Sequence, residues 1–137
     1  MSFVEAVRSG FNNYANFSGR ALRSEYWWWV VFVWIAGIIA SIIDRALGWS
    51  IYETTMYGVQ QSSGPVAAIV SLAVLIPGLA VLVRRLHDTD RSGWWFWLVL
   101  IPIIGWIVLI IFLASSGTPG PNRFGPPRDG NALAYSR

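Results

Sequence analysis

The chain contains no cysteine and no lysine. Without thiols there can be no disulfide, no thiolate metal site and no cysteine nucleophile. Without lysine, all ten basic residues are arginines, which stay charged and grip carboxylate or phosphate through a planar fork. Charge is scarce overall: 12% of 137 residues are Asp, Glu, Lys or Arg, against 55% hydrophobic. That balance departs from soluble composition toward membrane proteins. Histidine occurs once, at His87, too little material for zinc in a chain without thiols. The net charge is +3 with no basic helix or base-stacking platform, which argues against nucleic acid as a partner and for orientation toward anionic lipid. The N-terminus lacks the basic segment, apolar core and small-residue cleavage site of a secretory signal, so the first span is expected to serve as its own uncleaved insertion signal.

What is present is long apolar sequence. Residues 54–83 and 92–122 carry no charge, and between them lies a charged connector, Arg84-Arg85-Leu86-His87-Asp88-Thr89-Asp90-Arg91. Runs this long are candidate spans, and so short a link forces its two neighbours antiparallel with the link at the bilayer surface. Upstream, residues 26–43 give eighteen uncharged positions, about 27 Å of helix, opening on the aromatic group Tyr26-Trp27-Trp28-Trp29 expected at headgroup depth. Ala36 with Ala40, and Gly37 with Ser41, offer small surfaces for close helix approach. Ser2 and Glu5 stand at capping-box spacing, and Phe3, Val7, Phe11 and Tyr14 follow at helical intervals, predicting a short amphipathic helix. Gly19 supplies a joint after it. The fold expected is therefore all-α: one membrane domain over residues 1–137, with an amphipathic helix and joint in 1–23, three transmembrane helices at 26–43, 65–83 and 94–114, and a Gly/Pro-rich tail at 115–137. The connector from Asp44 to residue 63 reads as an outer loop anchored by Trp49, Tyr52 and Tyr57.

With three spans, Arg8, Arg20, Arg23, Arg84, Arg85 and Arg91 fall on one side, and Arg45, Arg123, Arg128 and Arg137 on the other. Six against four favours a cytoplasmic N-terminus and connector, and a periplasmic tail; a re-entrant pair broken at Pro102 and Gly105 would return the tail inside, but 21 residues are too few for two full spans.

Four ordered blocks carry a resemblance: Phe17-x-Gly19-Arg20-x-x-Arg23-x-Glu25-Tyr26-Trp27; Arg84-Arg85-Leu86-His87-Asp88-Thr89-x-Arg91-Ser92-x-Trp94-Trp95; Pro102-x-x-Gly105; and Gly117-Thr118-x-Gly120-x-Asn122-Arg123-Phe124-Gly125-Pro126. Together they resemble the small bacterial inner-membrane proteins grouped as the domain of unknown function 805. The resemblance implies a multi-pass protein of the inner membrane without an assigned activity, so it supplies no catalytic residue and no cofactor. The family pattern often has an acid after the last Gly-Pro, where this chain has Pro127 and reaches its acid only at Asp129.

His87 beside Asp88 and Asp90 has the composition of a proton shuttle or cation site. Yet no hydroxyl or thiol is paired with the imidazole at a catalytic spacing, and Arg84–Asp88 at i, i+4 is the simpler use of these charges. Arg20, Arg23 and Glu25 share a membrane face with Arg84, Arg85, Asp88, Asp90 and Arg91, so crossed pairs are expected to lock the first span to the connector. Pro77 and Pro102 lie at comparable depth and mark helix kinks, which in transporters can border a substrate site. The expected function is thus a non-enzymatic structural or interaction protein that binds lipid headgroups or a protein partner through its arginine-rich face. The alternative is a subunit of an oligomeric small-solute transporter or channel.

Overall fold

The computed structural model describes residues 1–54 and 60–128, with backbone alone at 51–54 and 60–63. Five helical elements follow one another: α1 (Phe3–Asn12), α2 (Arg23–Ala46), α3 (Pro65–Asp88), a 3₁₀ helix (Gly93–Leu100) and α4 (Ile104–Ala114). The connector between α2 and α3 holds a short antiparallel pair, β1 (Ile51–Thr54) and β2 (Gln60–Ser63), with Ile51 opposite Ser63 and Thr54 opposite Gln60. Of its expected anchors Trp49 is half exposed, while the Tyr52 side chain and Tyr57 lie outside the described residues.

α2 and α3 are each 24 residues and apolar enough to cross a membrane. At 1.5 Å per residue each is about 36 Å long, more than a hydrocarbon core of about 30 Å requires. They run antiparallel, and their outer junction is fastened by Asp44. The α3 N-cap is Gly64, which has no side chain to offer, and Pro65 follows in the first turn, where its missing N–H is harmless. Asp44, reaching across from α2, accepts from the Val66 N–H (3.0 Å) and the Ala67 N–H (2.9 Å), and is itself only 1% exposed. Glycine at position 64 follows from this, because a Cβ there would collide with the Asp44 carboxyl.

Pro77 lies inside α3, which continues through it, so the proline leaves the Ala73 carbonyl without its helical donor. The Tyr14 hydroxyl donates to that oxygen at 2.6 Å. A side chain beyond the end of α1 thereby satisfies a polar group that apolar surroundings would leave orphaned. α1 begins with the expected capping box: the Glu5 N–H donates to Ser2 Oγ and the Ser2 N–H to the Glu5 carboxylate. Its tightly packed face is the small one, Ala6, Ser9 and Gly10, with Gly10 against the Trp29 ring, while Phe3 and Phe11 flank it in edge-to-face contacts with Trp28, Trp29 and Phe32. Trp29, 2% exposed, is therefore a core residue and not part of an interfacial belt; Trp27 and Trp28 remain outside.

The third transmembrane helix expected at 94–114 is not present as one helix. Residues 93–100 wind as a 3₁₀ helix, the chain reverses at Pro102-Ile103, and α4 returns. At φ 64°, ψ −69° Ile103 occupies the strained classic γ-turn, closed by the Ile104 N–H on the Pro102 carbonyl at 2.7 Å. Gly105 lets the two legs touch, since a Cβ there would strike the Leu98 carbonyl, and Trp106 Nε1 donates to Val99 O at 2.7 Å. Eight residues at about 2.0 Å and eleven at about 1.5 Å make legs of nearly equal length, each about 16 Å, half a hydrocarbon core. Both ends of this hairpin consequently lie at the C-terminal end of α3. Leu86, Leu109 and Leu113 form the packed centre between them, with Tyr26, Leu82 and Phe96 around it.

The tail follows from that reversal. Residues 115–128 sit against Arg20, Asp88 and Ser9, at the same end as the start of α2, and not at the opposite face where a third full span would have left them. The molecule is unequal from end to end. α1, the hairpin and the tail surround the half of α3 from Pro77 onward, where Ala80, Val81, Arg84, Arg85 and Leu86 are buried; in the other half α2 and α3 pair below the β1–β2 connector, with Ile38, Ile39, Ile42, Ile69 and Leu72 exposed.

Two outcomes test these junctions. Tyr14→Phe is expected to cost about 1 kcal/mol in unfolding experiments in detergent, and to cost nothing in a Pro77→Ala background, where the helix supplies its own donor. Asp44→Ala, which removes the side-chain cap that α2 supplies to α3, is expected to lower stability by about 1–2 kcal/mol.

Candidate functional site

Where α2 begins and α3 ends, five ionisable side chains are enclosed: Arg20, Glu25, Arg84, Arg85 and Asp88, none more than 6% exposed. Burial of this kind is sustained only by pairing. Glu25 Oε1 accepts from Arg84 Nη1 at 2.9 Å and from the Ser9 hydroxyl at 2.7 Å. Asp88 is shared: Arg20 Nε reaches Oδ1 at 2.8 Å and Arg85 Nη1 bonds Oδ2. Arg84 therefore pairs with Glu25 on the neighbouring helix and not with Asp88 one turn on, whose two carboxylate oxygens are taken by Arg20 and Arg85. Of Arg84, Nε and Nη2 remain buried without a partner.

The remaining donors close helix ends. Arg85 Nε donates to Leu113 O at 2.9 Å and Nη2 to Ser115 O, taking up carbonyls that the end of α4 leaves unbonded. Arg85 Nη1 also reaches Ala21 O at 3.2 Å. Arg20 holds the tail through Thr118 O (2.6 Å) and Gly120 O (2.7 Å), and the Thr118 N–H donates to Asp88 O at 2.7 Å. Gly117 must be glycine here, since a Cβ would run into the Asp88 carboxylate.

His87 belongs to the same clamp. Its ring stacks on Phe124 at 3.9 Å with planes 4° apart, and Nδ1 meets the Gly19 carbonyl at 3.1 Å, which fixes the proton on that nitrogen. Asn122 Nδ2 donates to the His87 carbonyl at 2.9 Å. Asp90, at φ 58°, faces Arg123 (3.2 Å) in the solvent-exposed rim. Arg91 lies over the Phe112 ring at 4.0 Å, and Arg23 Nη1 donates to Ala114 O at 3.4 Å. The carboxylates expected beside His87 are thus committed to arginines. Among the described residues no three His, Asp or Glu side chains converge. Pro77 lies in the continuous α3 and Pro102 in the hairpin turn, so they do not form paired kinks of two spanning helices.

Sequence reasoning passed over Ser9, Arg128, Asn122 and Phe124 as members of this assembly. Arg128 Nη2 donates to Ser9 Oγ at 2.7 Å and its Nε stands 3.5 Å from Glu25 Oε2. The tail's Gly/Pro content signals extended chain but not where that chain lies. Asp129 lies outside the described residues.

Two apolar helices of spanning length, a half-depth hairpin and an enclosed arginine–carboxylate assembly at one end define a helical membrane protein. The chain belongs to the family described as protein of unknown function DUF805, whose sequence profile matches residues 14–126. It is 44% identical over 116 residues to the inner membrane protein YhaH of Escherichia coli K12, covering 83% of this chain and 88% of that one. To the inner membrane protein YhaI of the same strain it is 42% identical over 118 residues, covering 85% and 89%. The uncharacterized protein YiiR is 32% identical over 94 residues, 69% of this chain and 53% of that one. No solved structure matches. This kinship and the apolar helices make the chain a transmembrane protein of the inner membrane, in a family without an assigned activity.

Glu25→Ala is expected to lower stability in detergent by about 3–5 kcal/mol, because it strands Arg84 in an enclosed site. Adding Arg84→Met should recover most of that loss; equal destabilisation in the single and double variants would show that the two residues are not coupled.

Proposed function

We propose that the protein is a non-enzymatic component of the inner membrane whose arginine-bearing end lies at the cytoplasmic surface and engages anionic lipid headgroups. The observation that carries this reading is the distribution of arginine. Arg8, Arg20, Arg23, Arg84, Arg85, Arg91, Arg123 and Arg128 gather at the end where α3 finishes, and of the described arginines only Arg45 belongs to the other end. Return of the tail turns a shallow six-to-four bias into eight against one. Arginine excess of that size orients short-looped membrane proteins with the basic side inward, and anionic lipid of the cytoplasmic leaflet attracts such an end by about 1 kcal/mol per exposed cation. The absence of catalytic work is supported by the commitments of the polar groups: His87 to Gly19 and Phe124, Asp88 to two arginines, Glu25 to Arg84 and Ser9.

A cysteine-free chain makes the test direct. Ser18→Cys and Ser116→Cys are expected to resist a membrane-impermeant maleimide applied to spheroplasts and to react in inverted vesicles. Leu47→Cys should behave the opposite way. Labelling of position 18 or 116 from the periplasm would overturn the orientation.

A further inference from the structure

Beside the paired charges is a cavity of about 230 Å³, with Arg20, Arg23, Arg85 and Arg128 in its wall against one carboxylate, Asp88. Counting the adjoining Glu25 and Arg84, five guanidinium groups meet two carboxylates, an excess of three positive charges among the described residues. Arginine cannot relieve this by losing its proton. The five N–H groups of Arg20 are spent on Asp88 and on carbonyls of the tail. Among the described residues Arg23, by contrast, makes one long hydrogen bond, to Ala114 O, and Arg128 keeps a side chain 31% exposed; these two line the mouth with donors to spare. Two forked donors at the rim of a positive cavity select phosphate or carboxylate.

A second feature lies on the same two helices. A groove of about 410 Å³ between α2 and α3 is lined by apolar side chains, among them Val30, Val33, Leu75 and Leu79. It starts one turn below the cavity: Tyr26 is three residues past Arg23, and Leu82 three residues before Arg85, and both line it. Its lips, Trp34 at 72% and Leu75 at 52% exposure, open sideways. In its wall is Trp29, 2% exposed, whose Nε1 is buried without a partner. Six residues beyond Arg23, that indole lies about 9 Å deeper, where a phospholipid bound by its phosphate at the mouth would carry its ester carbonyls. An inorganic anion would have no use for the groove or for the indole donor.

We propose that cavity and groove together form a binding site for one anionic phospholipid of the same leaflet. The phosphate sits against Arg23 and Arg128, an ester carbonyl takes the Trp29 donor, and an acyl chain lies between α2 and α3. The site deepens the headgroup reading above, from general attraction of a basic surface to a single bound molecule.

The test uses the full-length protein extracted in mild detergent, delipidated, and compared with Arg23→Ala/Arg128→Ala and with Gly78→Leu. The last variant fills the groove at a position where a Cβ has ordinary contact with Trp29 at 3.5 Å, and leaves the cavity intact. Native mass spectrometry should find one added phosphatidylglycerol per chain, with affinity reduced by about tenfold or more in both variants, and phosphatidylglycerol should raise the melting temperature of the parent alone. Melting curves without lipid establish that each variant is folded; if Gly78→Leu is not, Val33→Trp replaces it. Stabilisation by inorganic phosphate equal to that by the lipid, unaltered by groove filling, would overturn the lipid assignment in favour of a free anion. A stoichiometric acidic protein in place of lipid would overturn it as well. Binding to phosphatidylglycerol vesicles that survives all variants, with no lipid retained in detergent, would refute the site while leaving the general headgroup reading standing; loss of vesicle binding by the parent would refute both.

Discussion

An arginine removed from water must meet a negative partner wherever the chain can bring one, and that requirement shapes this molecule. Arg84 draws Glu25 from 59 residues away, and Asp88 is reached by Arg20 from 68 away. Through these pairs the start of α2, the end of α3 and, by Arg85, the end of α4 are tied at one place. Enclosed ion pairs are weak contributors to net stability, since desolvation offsets most of the attraction. Their stronger effect is on register: a one-residue slip of α3 against α2 would leave Arg84 and Glu25 both unpaired in an enclosed site.

The reversal at Pro102 depends on the same constraint. A hairpin that stops halfway through an apolar layer has to satisfy its turn without water. It does so internally, with Ile104 donating to Pro102, Ile107 to Ile103 and the Trp106 indole to Val99. The C-terminal carbonyls of α4 then arrive beside Arg85, which consumes them. Tyr14 does the equivalent for Pro77, and Asp44 for the bare start of α3. At Pro77, at the start of α3 and at the end of α4 the freed backbone groups are answered by a side chain from another element.

Much of this is legible in the amino-acid sequence. Charge-free runs gave α2 and α3, capping-box spacing gave α1, and the sharing of one face by residues 20–25 and 84–91 brought Glu25 and Arg84, Arg20 and Asp88 into the same region. The third segment was misjudged because twenty-one apolar residues satisfy a span by length, and hydropathy does not register a γ-turn at Ile103 or a close approach at Gly105. A full third span would carry the tail, with Arg123 and Arg128, to the end opposite Arg20, whereas the structure sets it against Arg20 and Asp88. Individual pairings were also hidden: Arg84 and Asp88 have helical spacing, but the deciding factor was which neighbouring helix each arginine faced. Small residues told more than expected, since Gly10, Gly64 and Gly117 each mark a place where another side chain lies against the backbone.

The inequality of the two ends has a mechanical consequence. All five helical elements and the described part of the tail meet at one end, whereas α2, α3 and the short strand pair make up the other. The protein is a tapered plug, broad at the arginine-bearing side. In a bilayer such a taper would displace more lipid area at its broad end than at its narrow one.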